Sequence, residues 1–371
     1  MKKALFLTNK SSLFSEITGG VQLCSQEFLE ILNNVEGVEV ENYYVNFTSN
    51  YIQRSLMKFG FENYSMYDVQ KDEHDLIRYI QENRISIVFI NMASLVRYSL
   101  PIKKTFRQEV NVIMMSHGNH SGDFIHLISK PIYQTNFIKT FLNKIRLGFL
   151  MSTESIFRVK YLDAVIALSE TEMQIENWLG ATKCIFLPRR LKENFLDYKP
   201  IIGRVGFVGR LDHPPNLQGM ELLLNAFKNE CKSNVEFRLV GTPEKFGKQI
   251  AAIHSSVIYL GELSDKDLEN EVATWALQLN PVWWYSTGAS TKLAKAISWG
   301  VPIVTTTAGK RGYKWKNGSL LIADTPELMS KIIFEESLDI NRIHKNSAET
   351  KKVAKSGFTQ KELGEMIQDI L

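Results

Sequence analysis

Residues 287–295 read Thr-Gly-Ala-Ser-Thr-Lys-Leu-Ala-Lys, and their chemistry suits an anion. Thr287, Gly288, Ala289, Ser290 and Thr291 offer hydroxyls and backbone N–H groups where a helix should begin, and the helix dipole favours negative charge there. Lys292 and Lys295 follow three residues apart, on roughly one helix face. One such lysine is easily a solvated surface residue; two are harder to place that way, because the flank "AISWGVPIV" buries this helix. Arg210 ends the run "RVGFVG" beside Gly209, and its guanidinium fork suits phosphate oxygens, with an exposed salt bridge as the plainer reading. Gly19 and Gly20 precede the amphipathic stretch "VQLCSQEFLEIL" and could bring backbone N–H groups up to an anion. A simple turn is the commoner reason for such a pair, which matches neither a phosphate loop ending in Lys-Ser/Thr nor a dinucleotide fingerprint. In "MMSHGNHSGDF", His117 and His120 follow an apolar run, with Asp123 close behind. Imidazole at a strand end can bond a hydroxyl or exchange a proton near neutral pH. A structural histidine is the blander reading of each, and a zinc site lacks a third ligand at suitable spacing.

These residues need elements to hold them. Candidate strands are "ALFLT", "VEVENYYV", "ISIVFIN", "VNVIMMSH" and "AVIALS", then "RVGFVG", "VEFRLVG", "VIYLG", "LQLNPV", "PIVTT" and "SLLIA". Amphipathic segments separate most of them, and such alternation predicts parallel sheets covered on both faces. The expected fold is α/β with two Rossmann-like, doubly wound domains: 1–190 first, 200–355 second. The join falls near 187–203, where periodicity lapses and Pro188, Pro200 and Gly203 punctuate the chain; a helix should begin near Asn216. The helical tail from 326 has no convincing strand, and its last part, 356–371, is expected to pack back on the first domain. Ligands in such folds bind at the carboxyl ends of strands, so the expected site is the cleft between two facing domains.

At 371 residues the chain is too long for one ordinary core. Cys24, Cys184 and Cys231 are far apart, fit no zinc or disulfide pattern, and read as core thiols in a reducing compartment. The start "MKKALFLTNKSSLF" reads as a first strand rather than a signal peptide, and no run of about 18 apolar residues suggests a bilayer span. A net charge of +4, without an aromatic-studded basic motif, argues against nucleic acid. The charge is uneven. Between Lys130 and Lys160 six cations (Lys130, Lys139, Lys144, Arg146, Arg158, Lys160) face one acid, Glu154, and apolar residues at 137, 138, 141, 142, 145 and 149 keep a helical period. That pattern fits a helix lying on anionic lipid, or equally a core helix with a basic solvated face. The expected location is cytoplasmic, with peripheral contact on the inner face of the cell membrane.

The order of motifs resembles the GT-B glycosyltransferases of the large retaining family 4. The resemblance spans most of the chain: an early "GGV", "HG" at a strand end, "DAVIALSETEMQIENWLGA" followed by "FLP", "VGFVGRLDHPPN", "FRLVGTPE", "VIYLGEL", "LNPVWWYSTGASTKLAKAISWGVPIVTT" and "AGKRGY". It implies a nucleotide-sugar donor held mainly by the second domain, a glycan or lipid-linked acceptor in the first, as in polysaccharide, lipopolysaccharide or capsule synthesis, and transfer with retained anomeric configuration. It implies that Arg210 neutralises the donor diphosphate and that His117 lies near the transferred sugar. Gly19 and Gly20 would face the diphosphate, and Gly261, Glu262 and Leu263 would lie near the base. No metal or other cofactor is expected, and the barrier is lowered by electrostatic stabilisation of the leaving diphosphate rather than by a protein nucleophile.

Two positions depart from the family pattern. Lys295 stands where the family usually has the second of two glutamates, and Thr287 where it has the first. A carboxylate accepts hydrogen bonds from ribose hydroxyls; lysine has three donors and no acceptor. The lysine expected soon after Gly209-Arg210 is replaced by Pro215 or Asn216. Three explanations stand: Lys292 or Lys295 supplies the missing cation, so that Lys292 joins His117 and Arg210 as a catalytic candidate; Lys295 meets a carboxylate on an acidic donor sugar; or the nucleotide site is degraded and the chain serves as a scaffold. A structural pairing of Lys295 with an acid such as Glu262 is also open, as is a nucleotide-sugar epimerase of the same architecture.

Overall fold

The computed structural model describes residues 1–14, 19–58, 66–129, 136–228, 234–284 and 288–371. Thr287 and Cys231 lie outside the described residues. The chain forms two compact units, one comprising Met1–Pro188, Ser286–Gly288 and Thr359–Leu371, the other Arg189–Tyr285 and Ala289–Phe358.

The first unit holds a parallel six-stranded sheet ordered β2-β1-β3-β4-β5-β6. Its strands are β1 (Lys2–Thr8), β2 (Val38–Tyr44), β3 (Ile87–Asn91), β4 (Asn111–Met115), β5 (Ala164–Ala167) and β6 (Cys184–Phe186). β3 and β5 are buried along their whole length, as strands covered on both faces must be. β6 has no counterpart among the expected strands: three partly buried residues at a sheet edge give too short a run to stand out. Leu5, Leu7, Val88, Ile90, Val112 and Met114 form the centre of a core on one face.

The second unit repeats the architecture with order β12-β11-β10-β7-β8-β9. The strands are β7 (Ile201–Val208), β8 (Glu236–Val240), β9 (Val257–Gly261), β10 (Trp275–Asn280), β11 (Ile303–Thr305) and β12 (Leu321–Ile322). Gly203 falls inside β7 rather than in the join, because β7 begins with exposed Ile201 and Ile202 that carry no alternation to read. The next helix, Pro214–Lys228, starts two residues before Asn216. Proline fits there, since a first-turn N–H has no partner within the helix.

In each sheet the chain reverses its direction of strand addition once, between β1 and β3 and between β7 and β10. Loops leaving such a switch point diverge and open a crevice at the strands' carboxyl ends. The tail forms helices Pro326–Ser337, Ile340–Lys355 and Gln360–Gln368. The last carries a Thr359/Glu362 capping box and packs on helix Gly20–Leu32 of the first unit, with Gln360 Nε2 donating to Glu30 Oε2 at 3.2 Å. Among the described residues no helix is long and apolar enough to cross a membrane.

Candidate active site

At the carboxyl ends of β1, β3 and β4 a line of polar side chains crosses the first sheet. Asn91, the last residue of β3, is fully buried; its Nδ2 donates to Thr8 Oγ1 at 2.8 Å and to Ser25 Oγ at 2.9 Å. With its amide hydrogens committed, Asn91 Oδ1 is the acceptor for His117 Nε2 at 2.7 Å, which assigns the proton to that nitrogen. Phe28 meets the imidazole edge to face at 5.4 Å. The ring is thus met by the end of β3 and by helix Gly20–Leu32.

Behind His117 the loop is anchored from below. Asn119 Oδ1 accepts from Gly122 N at 2.6 Å and Ser121 Oγ at 2.8 Å, and its Nδ2 donates to Glu176 Oε1 at 3.3 Å. Glu176 and Arg158 form a fully buried two-pronged ion pair, Nε to Oε2 at 2.7 Å and Nη2 to Oε1 at 3.0 Å. Glu154, also buried, accepts from Ser121 N at 3.2 Å. A cavity of about 500 Å³ opens beside this loop, with Phe47, Tyr67, His117, His120, Phe124 and Arg146 in its wall. Burial holds the His120 imidazole below its usual pKa, so it is neutral at pH 7.

The second unit's switch point has different chemistry. Gly209 and Arg210 follow β7, and the segment after β10 leads to helix Thr291–Trp299, which Ser290 caps by accepting from Leu293 N. Two close approaches draw these loops together. A Cβ on Gly219, in helix Pro214–Lys228, would lie 1.7 Å from Pro281 O, and one on Gly209 would lie 3.1 Å from Lys292 Cδ. Lys292 runs past Gly209, sets its ammonium 4.8 Å from the Phe207 ring centre and donates to Asn216 Oδ1. Asn216 Nδ2 in turn donates to Arg210 O at 2.7 Å. Position 216, one of the two slots where a lysine is expected, is therefore occupied by an amide that contacts the Lys292 ammonium. Burial, and next the charge of Arg311, push the Lys292 pKa down to about 7.

Arg210 stands outward, its side chain 74% exposed, with Nε 2.7 Å from Asp212 Oδ1 and Nη2 3.1 Å from Oδ2. This pair raises the arginine's pKa and lowers the carboxyl's. Lys295 is 46% exposed, 3.5 Å from Asp265 Oδ1 and 4.9 Å from the Trp299 ring centre, so the acid it meets is Asp265 rather than Glu262.

The remaining expected positions are scattered. Gly19 caps helix Gly20–Leu32, its N–H donating to Gln22 Oε1 at 3.0 Å. Gly261 ends β9 with its carbonyl accepting from Gly241 N at 2.9 Å; Glu262 is exposed and Leu263 packs against the cluster of Trp275 and Trp299. Ala289 packs against the cluster of Leu293 and Ile297, and Thr291 is exposed. Gly288 groups with the first unit, where its N–H donates to Glu172 Oε1 at 3.1 Å. Among the described residues no cluster of three metal-ligating side chains occurs. Asn91, Arg146 and the Arg158–Glu176 pair add to the sequence-derived set. Asn91 had a legible signal, a polar residue closing an apolar strand; the ion pair had none, its members lying 18 residues apart on different helices.

Residues 203–334 match the family model described as glycosyl transferases group 1. No curated protein matches by sequence. Among solved structures, sucrose-phosphate synthase from Thermosynechococcus elongatus is similar at TM-score 0.66 and 13% identity, over 100% of this chain and 98% of that one. The lipopolysaccharide outer core galactosyltransferase WaaB is similar at TM-score 0.62 and 13% identity, over 99% and 98%. Anabaena HepE, solved with UDP and glucose, is similar at TM-score 0.58 and 14% identity, over 100% and 99%. At such identities the likeness is one of fold. Residues 203–334, within the second unit, are thus similar to the group 1 glycosyl transferases, and the two parallel six-stranded sheets give the chain the two-domain GT-B fold.

Proposed function

We propose that the chain moves a sugar from a nucleotide-sugar donor, bound through its diphosphate by the second unit, to a glycan or lipid-linked acceptor bound by the first, with the anomeric configuration retained. The observation that carries this reading is the connected group of Lys292, Asn216 and Arg210 at the β7/β10 switch point. A diphosphate arriving there meets an ammonium already drawn out of bulk water and an arginine that can exchange Asp212 for phosphate oxygens. In the transfer the bond from anomeric carbon to phosphate oxygen breaks and the bond to the acceptor oxygen forms. The acceptor's hydroxyl proton leaves with the departing phosphate, whose growing charge Lys292 and Arg210 stabilise. His117, held by Asn91, positions the transferred sugar.

The acceptor's surroundings follow from helix Phe137–Lys160. Phe137 is 85% exposed, and Ile138, Phe141, Leu142 and Phe149 are exposed beside Lys139 and Lys144. An apolar stripe between cations fits an anionic, cytoplasm-facing membrane surface, where lipid-linked glycans would be met. The lipopolysaccharide galactosyltransferase among the similar structures is compatible with such an acceptor.

A thermal-shift screen with UDP, GDP, ADP and TDP tests the donor reading. Binding at about 100 times Kd should stabilise the fold by about 2.7 kcal/mol. No shift with any of the four would overturn it. Co-sedimentation with phosphatidylglycerol vesicles, lost in Phe141→Glu and absent with neutral vesicles, tests the membrane reading; equal sedimentation of wild type and variant would remove it.

A further inference from the structure

Lys292 reaches the second unit's switch point by a confined route. Its stem passes Gly209, where a Cβ would lie 3.1 Å from Lys292 Cδ, and its ammonium sits 4.8 Å from the Phe207 ring centre. At the end of that route stands Asn216, in helix Pro214–Lys228. Its Oδ1 accepts from the Lys292 ammonium and its Nδ2 donates to Arg210 O at 2.7 Å. Asn216 is buried, so a single enclosed amide joins the ammonium to the backbone of the arginine that follows β7.

The type of that residue matters. A carboxylate there would accept the same hydrogen bond and cancel the charge, and an aliphatic side chain would leave the ammonium without the acceptor. Asparagine supplies the acceptor and no net charge. Of the charged groups around the ammonium, Arg311 opposes its protonation, while Arg210 turns to Asp212 and Lys295 to Asp265. Burial first, and then Arg311, bring the Lys292 pKa down to about 7. A phosphate oxygen that replaces a neutral amide on such a lysine gains a charge-assisted contact and breaks no ion pair.

We infer that Asn216 is a positioning residue for the donor: it aims the Lys292 ammonium at the diphosphate and ties it to the backbone of Arg210 without neutralising it. This rests on the reading of the second unit as the donor side and names the residue through which its two cations are coupled. The coupling is carried by three segments far apart in sequence, the end of β7, helix Pro214–Lys228 and helix Thr291–Trp299.

Isothermal titration of the full chain with UDP, from about pH 7 to about pH 9, tests this; each profile is read against Lys292→Met, so that the titration of UDP itself cancels. Asn216→Asp, nearly isosteric, should weaken UDP at least tenfold, because the carboxylate engages the ammonium. It should also flatten the fall in affinity above pH 7, because a paired Lys292 stays protonated. Asn216→Leu should cost at least threefold more in the wild-type background than in Lys292→Met, whereas a residue that only supports the fold would cost the same in both. Wild-type affinity in Asn216→Asp, an unchanged pH profile, or equal losses in the two backgrounds would each overturn the inference. Melting temperatures of the unliganded chain check the contact without a nucleotide. The stability of Lys292 relative to methionine should rise between about pH 7 and pH 10.5 with Asn216 and should not rise with Asn216→Asp; a rise in both would overturn the inference. If wild type binds no UDP while this melting difference holds, the donor reading falls and takes the inference with it, but the contact between Asn216 and Lys292 stands.

Discussion

In the first sheet Asn91 closes β3 and donates to Thr8 at the end of β1; in the second Asn280 closes β10 and donates to Thr305 at the end of β11, at 2.9 Å. All four residues are buried. Each pair satisfies polar groups where a buried parallel sheet stops, a place where an unbonded amide would cost about 1–3 kcal/mol. The device is shared and the chemistry beside it is not. Asn91 hands its carbonyl to His117, in a loop anchored on a buried ion pair. In the second unit, Arg210 and Lys292 bring positive charge to the switch point. The strand ends make a neutral floor in both units, and the proposed division between a hydroxyl-rich and an anionic group rests on the residues set on it.

The largest effect should come from breaking the anchor. Arg158→Met leaves Glu176 buried without its partner, which should lower stability by about 3–5 kcal/mol. The double variant Arg158→Met/Glu176→Leu should recover most of that loss, because a well-packed apolar pair avoids desolvating two charges. Urea midpoints for the two variants would show whether charge or volume holds the His117 loop.

His117→Ala should come next, lowering kcat by about a hundredfold, the scale of one lost polar contact to the transition state. UDP affinity, read by titration, should stay within twofold, since the imidazole is held by Asn91 of the first sheet and the diphosphate is assigned to the second unit. Equal losses in kcat and UDP binding would erase the division of labour between the units.

Lys292→Met should raise the Kd for UDP by about 10–100-fold, the worth of a charge-assisted hydrogen bond of about 1.5–3 kcal/mol. Its effect on stability should have the opposite sign to that of Arg158→Met. The folded-state pKa of Lys292, about 7, lies below its ordinary 10.5, so the unfolded chain binds the proton more tightly and folding is opposed at neutral pH. Relative to Lys292→Met, wild type should gain stability as pH rises from about 7 to 10.5. A pH-independent difference in melting temperature would contradict this.

The same pKa predicts a proton coupling. A bound diphosphate favours the ammonium form, so UDP binding above pH 7 should take up protons and weaken by up to tenfold per pH unit. Titrations at pH 8 in phosphate and in Tris should give different apparent enthalpies, and Lys292→Met should abolish the difference.

The two sheets were largely legible because buried parallel strands are short apolar runs with polar ends, as "ISIVFIN" and "LQLNPV" show. The short edge strand Cys184–Phe186 escaped because three half-buried residues carry no period. Arg210, His117 and Lys292 could be singled out by residue type and by their places after strands or at a helix start. Which lysine turns inward could not, because two residues three apart share a helix face to a first approximation. The choice is made by the absence of a side chain at Gly209 and by Asn216, which are remote in sequence from both.

The smallest effect should come from the second of those lysines. Lys295 faces Asp265, which is 93% exposed, and such pairs contribute about 0–1 kcal/mol. Its contact with the buried Trp299 ring is made by a half-exposed ammonium and adds about 0.5–1 kcal/mol. Lys295→Ala should therefore change the Kd for UDP by less than about threefold, with little movement in melting temperature, matching Lys248→Ala on an exposed helix elsewhere. The informative comparison is with a donor whose sugar bears a carboxylate, such as UDP-glucuronic acid. If Lys295→Ala weakens that donor tenfold while sparing UDP, the lysine reads the sugar and the cation site extends one helical turn beyond Lys292; if both bind as before, Lys295 belongs to the surface and Lys292 alone supplies the helix's charge to the diphosphate.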